Sequence, residues 1–489
     1  MRIAATSDDL LDAVAGARRE AVSAFGDDTV FLERHLVASR HIEIQVFGDT
    51  HGNVVPIFER ECSIQRRHQK IIEEAPSPVL DDATRQRMGE AAVAAARSVG
   101  YVGAGTVEFL YDGEQFFFLE MNTRLQVEHA VTEEITSLDL VRLQLLVADG
   151  QALPEEAMVP MMLGHAIEAR LYAEDALNDF LPAAGRLERF EFPVVPGLRV
   201  DSGVEGGSEV SVFYDPMIAK VVAWAETRQE AAALLARSLQ EARIHGLVTN
   251  RDLLVRILRH PAFLAGDADT QFLERNSPAQ LGTPLPDETD LHLGAASAAL
   301  AAQAERRATS PLLSSVPSGW RNSPSQLQEM TFEANGSVVK VAYRFEARGG
   351  VTIAIDDVVL EDASVIELTA DRVGLQVGSQ ARWYDVARSD RVHHVDGPGG
   401  YLRLIERPRF PETAAEDDPG SLHAPMPGRI VKVLASEGDH VTDGQVLIVL
   451  EAMKMEHSLR SPYDGIVRSL DAASGDQVEA GQVLAVVEA

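Results

Sequence analysis

The sequence predicts a multidomain α+β protein that ends in a small all-β domain. Helical and strand patterns alternate up to about residue 276, and one long helix pattern at 288–307 precedes many short strand patterns. Residues 424–452 recur at 461–489, and every matched pair has the same offset, as Pro425 and Pro462 illustrate (462 − 425 = 37). Patterns that change along the chain in this way predict several domains in series.

The first region combines helices with strands. Helical periodicity covers residues 8–25, strand alternation covers 29–47, an Ala-rich helix is expected at 83–98 after Asp81-Asp82, and a hairpin at 105–122. Helices and strands continue to about Asn276, and the Pro-containing stretch 277–287 predicts a domain boundary. This region is therefore expected to form an α+β domain with its own core.

The middle region, residues 288–406, pairs one Ala- and Leu-rich helix with short β-type runs. One helix followed by many short strands predicts a small barrel or sheet packed on that helix. Residues 407–422 are rich in Pro, Glu and Asp, and this composition predicts a flexible tether.

The C-terminal repeat predicts two interlocked β half-sandwiches with Gly-Asp and Asp-Gly turns. The first copy runs directly into the second, so Met453-Lys454-Met455 is expected to form the hairpin that joins them. A hairpin tip is accessible to a modifying enzyme. Lys454 is therefore the candidate for covalent modification, and the alternative is an ordinary surface lysine between two methionines.

Composition excludes several classes of function. The 489 residues carry a formal net charge of −31, which disfavours binding to nucleic acid and to anionic membranes. The single cysteine, Cys62, excludes an intrachain disulfide framework and fits a reducing compartment. No apolar run has the length of a membrane span, and acidic residues follow Met1 too soon for a secretory signal. We therefore expect a cytoplasmic protein with no nucleic-acid or membrane partner.

A run of alternating polar residues follows the predicted hairpin. On an extended chain one face would carry Glu120, Asn122, Arg124, Gln126 and Glu128. Two carboxylates, two amides and a guanidinium on one face form a site for cations and small oxyanions. A solvated edge strand also alternates, but the apolar run at 116–119 favours a buried strand.

Glu108 lies on the preceding strand, across the loop that contains Asp112-Gly113. A two-residue turn would place Glu108 and Glu120 on opposite faces, whereas a three-residue loop would pair Glu108 with Phe118 and bring both carboxylates to one face. If Glu108 and Glu120 share a metal ion, we therefore expect the hairpin to have the longer loop or a bulge. Hard oxygen ligands beside a nucleotide favour Mg²⁺ or Mn²⁺ over zinc.

A second polar cluster, Glu61–Lys70, contains Gln65, Arg66, Arg67, His68 and Lys70. These donors suit phosphate and bicarbonate oxygens, although such a run by itself is also typical of a solvated loop. The cluster indicates a specific binding site only in combination with the Glu120–Glu128 run.

The run Glu451-Ala452-Met453-Lys454-Met455 and its duplicated frame resemble the biotin carboxyl carrier domain, in which the lysine is joined to biotin by an amide bond. The related lipoyl domain usually has an Asp before its lysine, where Met453 stands here. Biotin on a flexible arm allows one carrier to visit two active sites at high effective concentration. The resemblance implies a flattened all-β barrel of the biotinyl/lipoyl type, and a biotin protein ligase as a partner.

Four motifs together resemble the ATP-grasp core of biotin carboxylase, from residue 1 to about 278. They begin at Arg40, Cys62, Gly103 and Glu120 and include His41–Val46 and Gln65–Lys70. The resemblance implies that Glu33, Arg34, His35 and Leu36 contact adenine, with Arg34 in place of the more usual lysine, and that His41, Gln65 and His68 contact the nucleotide.

The same resemblance implies roles for the polar run. Glu108, Glu120 and Asn122 would hold Mg²⁺ or Mn²⁺ and the phosphates, and Lys70, Arg124, Gln126 and Val127 would bind bicarbonate. Glu128 would be the base that deprotonates bicarbonate, and Arg170 would stabilise the biotin anion. These roles fit the chemistry, because bicarbonate is a poor nucleophile until a carboxylate takes its proton.

The family also has an N-terminal domain and a glycine-rich loop over the ATP phosphates, and Met1-Arg2 aligns just past that loop. Loss of one preorganised donor costs about 10²–10³ in rate. We therefore expect a shortened chain with impaired ATP chemistry.

The resemblances imply the α subunit of a biotin-dependent acyl-CoA carboxylase, with methylcrotonyl-CoA favoured over propionyl- and acetyl-CoA. The expected parts are a remnant of the ATP-grasp lid (1–35), the biotin carboxylase ATP-grasp and C-terminal region (36–278), a helix-in-β-barrel subunit-interaction domain (288–406), a linker (407–422) and the carrier (423–489). Acyl-CoA would bind to a β-subunit carboxyltransferase. The alternatives are a biotinylated carrier or scaffold without ATP chemistry, and a pyruvate or urea carboxylase.

Overall fold

The computed structural model describes residues 2–4, 6–66, 69–311, 326–346, 350–410, 420–452 and 455–488. The chain divides into two compact units: Met1–Met162 with Gly266–Arg275, and Leu163–Ala265 with Asn276–Ala489. No described helix is long and apolar enough to span a membrane. The mixed α+β fold class predicted from the sequence is confirmed.

The first unit is built mainly from the N-terminal third of the chain. Its elements are α1 (Leu10–Phe25), β1 (Arg40–Gly48), β2 (Val54–Arg66), β3 (Gln69–Ala75), α2 (Asp82–Ser98), β4 (Gly103–Tyr111), β5 (Phe116–Asn122), α3 (His129–Thr136), α4 (Leu140–Ala148) and α5 (Glu155–Met158). The predicted helices at 8–25 and 83–98 and the predicted hairpin at 105–122 are confirmed.

An antiparallel sheet in the order β3-β2-β1-β4-β5 forms the frame of this unit. Side chains alternate between the two faces of a strand, so β1 presents Ile42, Ile44 and Val46 to one face. These residues share a core with Met88, Ala92 and Ala96, one stripe of α2. The other face of β1 carries His41, Glu43 and Gln45, which are buried although they are polar.

Helix α2 begins where the sequence indicates. Asp81 is its N-cap, and the Asp81 carboxylate accepts a hydrogen bond of 2.7 Å from the Thr84 amide. Such a cap satisfies one of the amide groups that an α-helix leaves without an internal partner.

Three expectations for this region are wrong. Residues 30–36 form no regular element, and the strand predicted at 29–47 begins only at Arg40. The run at 116–119 is not buried, because β5 is the edge strand and the Phe118 and Leu119 side chains are 60% and 45% exposed. The strand also ends at Asn122, so the polar residues after it are not extended along one face.

The second unit begins with elements that surround a three-stranded sheet, β11-β13-β6. Its first part contains β6 (His165–Tyr172), β7 (Glu174–Asp175), β8 (Leu181–Pro182), β9 (Gly185–Arg186), β10 (Arg189–Glu191), β11 (Leu198–Ser202), β12 (Glu209–Val210), β13 (Met217–Ala225), α6 (Arg228–Glu241), β14 (Arg243–His245), α7 (Arg251–Leu258) and α8 (Pro261–Leu264). The next helix, α9 (Phe272–Arg275), belongs to the first unit.

The middle of the chain forms a curved sheet around one buried helix. The short helix α10 (Pro278–Leu281) precedes α11 (Glu288–Thr309). The strands are β15 (Gln328–Ala334), β16 (Ser337–Phe345), β17 (Val351–Ile355), β18 (Val358–Val359), β19 (Ala363–Leu368), β20 (Arg372–Val377), β21 (Gln380–Ser389), β22 (Val392–Gly397) and β23 (Gly400–Glu406). They pair in the order β18-β17-β16-β15-β23-β22-β21-β20-β19. The Ala-rich side of α11 shares one core with these strands, which confirms the predicted helix inside a barrel-like sheet.

A stack of aromatic rings joins this sheet to the part of the unit before it. The imidazoles of His245 and His394 are parallel, with centroids 4.6 Å apart. His394 Nδ1 lies 2.7 Å from the Tyr401 hydroxyl, and His245 Nε2 lies 2.9 Å from the Asp396 carboxylate. Burial, followed by the charge of the neighbouring His245, lowers the pKa of His394 to about 4.

We expect acid to weaken this contact. The unfolded chain protonates this histidine below its unfolded pKa near 6.5, whereas the folded chain keeps it neutral down to about 4. The free energy of unfolding is therefore highest above pH 6.5 and falls as the pH drops from 6.5 towards 4. The full effect is roughly 3 kcal/mol, at about 1.4 kcal/mol per pH unit. Protection factors of the amides on the strands that carry His245 and His394, which are corrected for the intrinsic pH dependence of exchange, should fall between pH 7 and pH 5. His394→Phe should flatten this dependence, and an equal dependence in both proteins would contradict the prediction.

The C-terminal region contains the predicted interlocked repeats. Its strands are β24 (Ser421–His423), β25 (Gly428–Val433), β26 (His440–Val441), β27 (Val446–Ala452), β28 (Met455–Arg460), β29 (Gly465–Leu470), β30 (Gln477–Val478) and β31 (Val483–Glu488). One sheet has the order β24-β31-β29-β26 and the other β28-β27-β25-β30, so each copy of the repeat contributes a strand to the sheet of the other copy.

The turns of the two copies are equivalent in detail. The Asp439 carboxylate accepts a hydrogen bond of 2.8 Å from the Ser436 amide, and the Asp476 carboxylate accepts one of 2.8 Å from the Ala473 amide. β27 and β28 are antiparallel partners, and Ala452 is opposite Met455. Met453 and Lys454, which connect these strands in the sequence, lie outside the described residues.

Candidate active site

A row of four charged residues crosses the polar face of the first unit's sheet. Arg60 on β2 is opposite Glu43 on β1, Glu43 is opposite Glu108 on β4, and Glu108 is opposite Glu120 on β5. Residues that are directly opposite in an antiparallel sheet share a face. The row therefore places one guanidinium and three carboxylates side by side.

A bulge in β5 aligns the last pair of this row. Phe109 is opposite Phe118 but Glu108 is opposite Glu120, so one extra residue is inserted between the two pairs. The hairpin loop, 112–115, has four residues, and without the bulge Glu120 would lie on the other face of the sheet. The predicted pairing of Glu108 with Phe118 is wrong, whereas the alternative prediction of a bulge is confirmed.

Lys70 lies among three carboxylates. Its ammonium is 2.5 Å from Glu43, 2.5 Å from Glu128 and 3.3 Å from Glu108. Burial would lower the pKa of Lys70, but the negative charges, with Glu43 first among them, outweigh burial and raise it. Lys70 is therefore a permanent cation in the centre of the site.

The carboxylates around Lys70 are held ionised. Burial would raise the pKa of Glu108, but the hydrogen bond with His41 and the charge of Lys70 reverse this effect and hold that pKa at about 2. Burial would also raise the pKa of Glu43, and Arg60 and Lys70 together lower it instead. Both groups therefore remain negative across the physiological pH range.

Arg60 is completely buried and makes five hydrogen bonds. Its acceptors are Glu43 (2.6 Å), Gln45 (2.7 Å), Gln126 (2.9 Å), Thr106 (3.0 Å) and Thr132 (3.1 Å). A guanidinium has five N–H donors, so each of them has a partner. Arg60 thus connects the sheet to α3 and to the turn before it.

Two of the predicted nucleotide contacts also lie at this site. His41 Nε2 is 2.7 Å from the Glu108 carboxylate, and His41 Nδ1 is 2.5 Å from the Gln65 amide nitrogen. Gln65 also donates to the carbonyl oxygen of Cys62. His68, the third predicted contact, lies outside the described residues.

The three predicted metal ligands are brought together. Glu108 and Glu120 are opposite each other, and the Asn122 amide nitrogen donates to Glu108 at 2.8 Å and to Glu120 at 3.3 Å. The two carboxylates supply hard oxygen ligands, and rotation of the Asn122 amide would supply a third oxygen, so these residues fit Mg²⁺ or Mn²⁺.

We expect Glu120→Gln to weaken Mn²⁺ binding in the presence of ATP by about tenfold or more, because ligand charge sets the affinity of an oxygen site. Electron paramagnetic resonance titration of free Mn²⁺ measures this change directly. Glu114→Gln, at an exposed position in the same hairpin, is the matched control. Equal Mn²⁺ affinities for wild type and Glu120→Gln would refute the assignment.

The structure buries Gln126 and Glu128 beside this cluster, whereas Arg124 is exposed. Gln126 and Glu128 are 5% and 2% exposed, and the Gln126 amide nitrogen donates to Glu108 at 2.8 Å. Arg124 is exposed, and its guanidinium donates to the carbonyl oxygen of Leu125. Val127 lies in the turn before α3.

The predicted adenine contacts, the predicted biotin-anion contact and the predicted biotinylated lysine belong to other segments of the chain. Glu33, Arg34 and His35 are exposed and Leu36 is half-buried, and the Arg34 guanidinium lies 5.3 Å from the centre of the Phe117 ring. Arg170 belongs to the second unit, where it is opposite Lys220 in the pairing of β6 with β13. Lys454 lies outside the described residues.

Sequence reasoning missed Glu43 and Arg60. The alternation of His41, Glu43 and Gln45 on β1 was the signal for Glu43, because period two places all three on the face that His41 occupies. Arg60 has no comparable signal, since its role depends on partners distant in sequence.

Four families match successive parts of the sequence. Residues 1–156 match the carbamoyl-phosphate synthase L chain ATP-binding domain, and residues 168–275 match the biotin carboxylase C-terminal domain. Residues 289–409 match the BT domain of the methylcrotonyl-CoA carboxylase α subunit, and residues 420–487 match the biotin-requiring enzyme family. The sequence therefore matches families of ATP-binding, biotin carboxylase and biotin-requiring domains.

Two solved structures are similar to part of the chain. A Campylobacter jejuni biotin carboxylase complexed with β-γ-ATP has 43% identity and a TM-score of 0.53, over 55% of this chain and 60% of that chain. The biotin carboxylase domain of the Hydrogenobacter thermophilus 2-oxoglutarate carboxylase, with MgADP and bicarbonate, has 39% identity and a TM-score of 0.53. That match covers 56% of this chain and 60% of that chain, so the chain spans less than two thirds of either structure.

Curated relatives cover more of the chain. The mitochondrial methylcrotonoyl-CoA carboxylase α subunit of Dictyostelium discoideum is 43% identical over 476 residues, which are 94% of this chain and 68% of that protein. The propionyl-CoA carboxylase α chain of Ruegeria pomeroyi is 40% identical over 496 residues, which are 94% of this chain and 71% of that protein. The chain therefore belongs to the family of α subunits of biotin-dependent acyl-CoA carboxylases.

Proposed function

We propose that this chain catalyses the ATP-dependent carboxylation of biotin attached to Lys454, with bicarbonate as the carboxyl donor. The observation that carries the proposal is the cluster of Lys70, Glu128 and Gln126 beside Glu108. It combines a fixed cation, a candidate base and an amide within one buried site. The same chain contains the duplicated carrier frame around Lys454.

In this proposal Glu128 accepts the proton of bicarbonate, and Lys70 compensates the negative charge of the bound anion. Deprotonation converts bicarbonate into a nucleophile that attacks the γ-phosphate of ATP, which yields carboxyphosphate and ADP. Gln126 hydrogen-bonds to bicarbonate, with Arg124 and Val127 as further contacts. Because Glu43 and Glu108 surround Lys70 with negative charge, Lys70 remains protonated throughout.

In this proposal the nucleotide is bound by Glu33, Arg34, His35, Leu36, His41, Gln65 and His68. Glu108, Glu120 and Asn122 hold Mg²⁺ or Mn²⁺, which would neutralise phosphate charge. Biotin, when attached, would supply the ureido nitrogen, which would lose its proton and take the carboxyl group from carboxyphosphate with release of phosphate, and Arg170 would stabilise the biotin anion.

The proposed partner is a β-subunit carboxyltransferase, which binds acyl-CoA and receives the carboxyl group. Support comes from the relatives, which are α subunits by name, and from the BT-domain match. Methylcrotonyl-CoA is the favoured acyl group. A biotin protein ligase attaches the biotin, and the single cysteine supports a cytoplasmic location.

The proposed domain organisation has the carboxylase region at 36–278, the subunit-interaction domain at 288–406 and the carrier at 423–489, with 407–422 as the linker. Residues 1–35 are assigned to the ATP-grasp lid. The four family matches follow the same order along the chain.

The test is carboxylation of free biotin by the purified chain, with ATP, Mg²⁺ and labelled bicarbonate. We expect labelled product that depends on both ATP and biotin, and the rate of its formation tests the impaired ATP chemistry expected from the sequence. A folded chain that binds avidin but forms no product would overturn the catalytic proposal and leave the biotinylated carrier role. Supplying the β subunit with methylcrotonyl-CoA, propionyl-CoA, acetyl-CoA, pyruvate or urea then identifies the final acceptor.

A further inference from the structure

Arg60 occupies a position that the proposed chemistry does not use. It lies on the strand next to Glu43, one of the carboxylates that surround Lys70, and its guanidinium has no exposed surface. A buried charge is costly unless it is paired and hydrogen-bonded, and all five N–H groups of Arg60 have partners. Such complete pairing indicates that the orientation of those partners depends on Arg60.

One of these partners is the Gln126 side chain. Arginine only donates hydrogen bonds, so the Gln126 atom that lies 2.9 Å from Arg60 must be its oxygen. The Gln126 nitrogen is consequently directed to the other side, where it lies 2.8 Å from Glu108. Arg60 therefore determines which end of this amide faces the site.

A second partner is Glu43. One oxygen of the Glu43 carboxylate accepts from Arg60, and the other accepts from Lys70 at 2.5 Å. Lys70 in turn is 2.5 Å from Glu128. A change at Arg60 therefore reaches the candidate base through three successive ion pairs, which are Arg60–Glu43, Glu43–Lys70 and Lys70–Glu128.

We infer that Arg60 is a positioning residue for bicarbonate, because it fixes the donor side of Gln126 and the place of Lys70. This inference rests on the proposed function. Arg60 itself does not touch bicarbonate. Misplacement of a binding group by about 1 Å can cost about 100-fold in rate.

The test compares Arg60→Lys with wild type. Lysine keeps the charge but has three donors instead of five, so at least two acceptors lose their partner. We expect the KM for bicarbonate to rise by about 10- to 100-fold, while the KM for ATP changes less than about threefold. A purely structural role would lower the stability of the chain and affect both substrates alike.

Arg85→Lys is the matched control. Arg85 belongs to α2 and pairs with Glu59, the neighbour of Arg60 on β2 that points to the opposite face of the sheet. This variant should leave the KM for bicarbonate unchanged. Thr132→Val, which removes a single acceptor of Arg60, is a milder second variant. It should raise the KM for bicarbonate a few-fold.

Binding of bicarbonate without turnover separates this inference from the proposed function. Line broadening of ¹³C-labelled bicarbonate should occur with wild type and decrease with Arg60→Lys. Wild type that neither broadens the signal nor turns over would overturn the proposed function and this inference together. Wild type that binds bicarbonate no better than Arg60→Lys and Thr132→Val would overturn the role of Arg60 alone.

Discussion

Lys454→Arg should abolish biotin attachment and every reaction that requires the carrier. Arginine keeps the positive charge, but it has no primary amine that can form the amide bond with biotin. Avidin binding by the purified chain, and the intact mass of the protein, measure the result.

Lys432→Arg is the control for this variant, because Lys432 is the other lysine of the carrier region and is exposed on β25. This protein should be biotinylated as wild type is. Persistence of avidin binding in Lys454→Arg, or its loss in Lys432→Arg, would move the attachment site away from Lys454.

Glu128→Gln should reduce the formation of labelled product from free biotin by about 10²- to 10⁴-fold, the range of a general base. The amide has nearly the shape of the carboxylate but cannot accept the proton of bicarbonate. The substitution also removes one of the three negative charges within 3.3 Å of Lys70. The expected change is therefore in kcat at saturating ATP, with little change in the KM for ATP.

Glu90→Gln, at an exposed position on α2, provides the comparison for this substitution. It should leave product formation unchanged. If Glu128→Gln retained more than about a tenth of the wild-type rate, a different residue would have to be the base.

Several features of the fold follow from local sequence alone. The helix at Asp82–Ser98 begins at an aspartate cap and ends near its predicted last residue. The helix at Glu288–Thr309 and the strands that surround it appear in the predicted order. These predictions succeed because hydrophobic period and capping act between residues close in sequence.

The carrier region was predictable in more detail, because the two copies of the repeat can be aligned with each other. The offset that relates Pro425 to Pro462 also relates the turn at Asp439 to the turn at Asp476. The exchange of strands between the two copies is confirmed by the order of the two sheets.

Predictions of burial and register were less successful. Phe118 and Leu119 are apolar but exposed, because they belong to an edge strand. Sequence pattern does not reveal whether another strand covers a given edge. Similarly, Arg124 follows the same alternation as Glu120 in the sequence but is not part of the strand, because β5 ends at Asn122.

The sequence by itself determined the order of the domains, the helix and strand types, the carrier repeat and most residues of the candidate site. Only the tertiary structure decided that Arg60, Glu43, Glu108 and Glu120 form one row across four strands. The physical reason is that alternation along a strand is a local property. The row depends instead on the bulge before Glu120, which sets the register of β5, and on the pairing of β1 with β4, which are far apart in the chain.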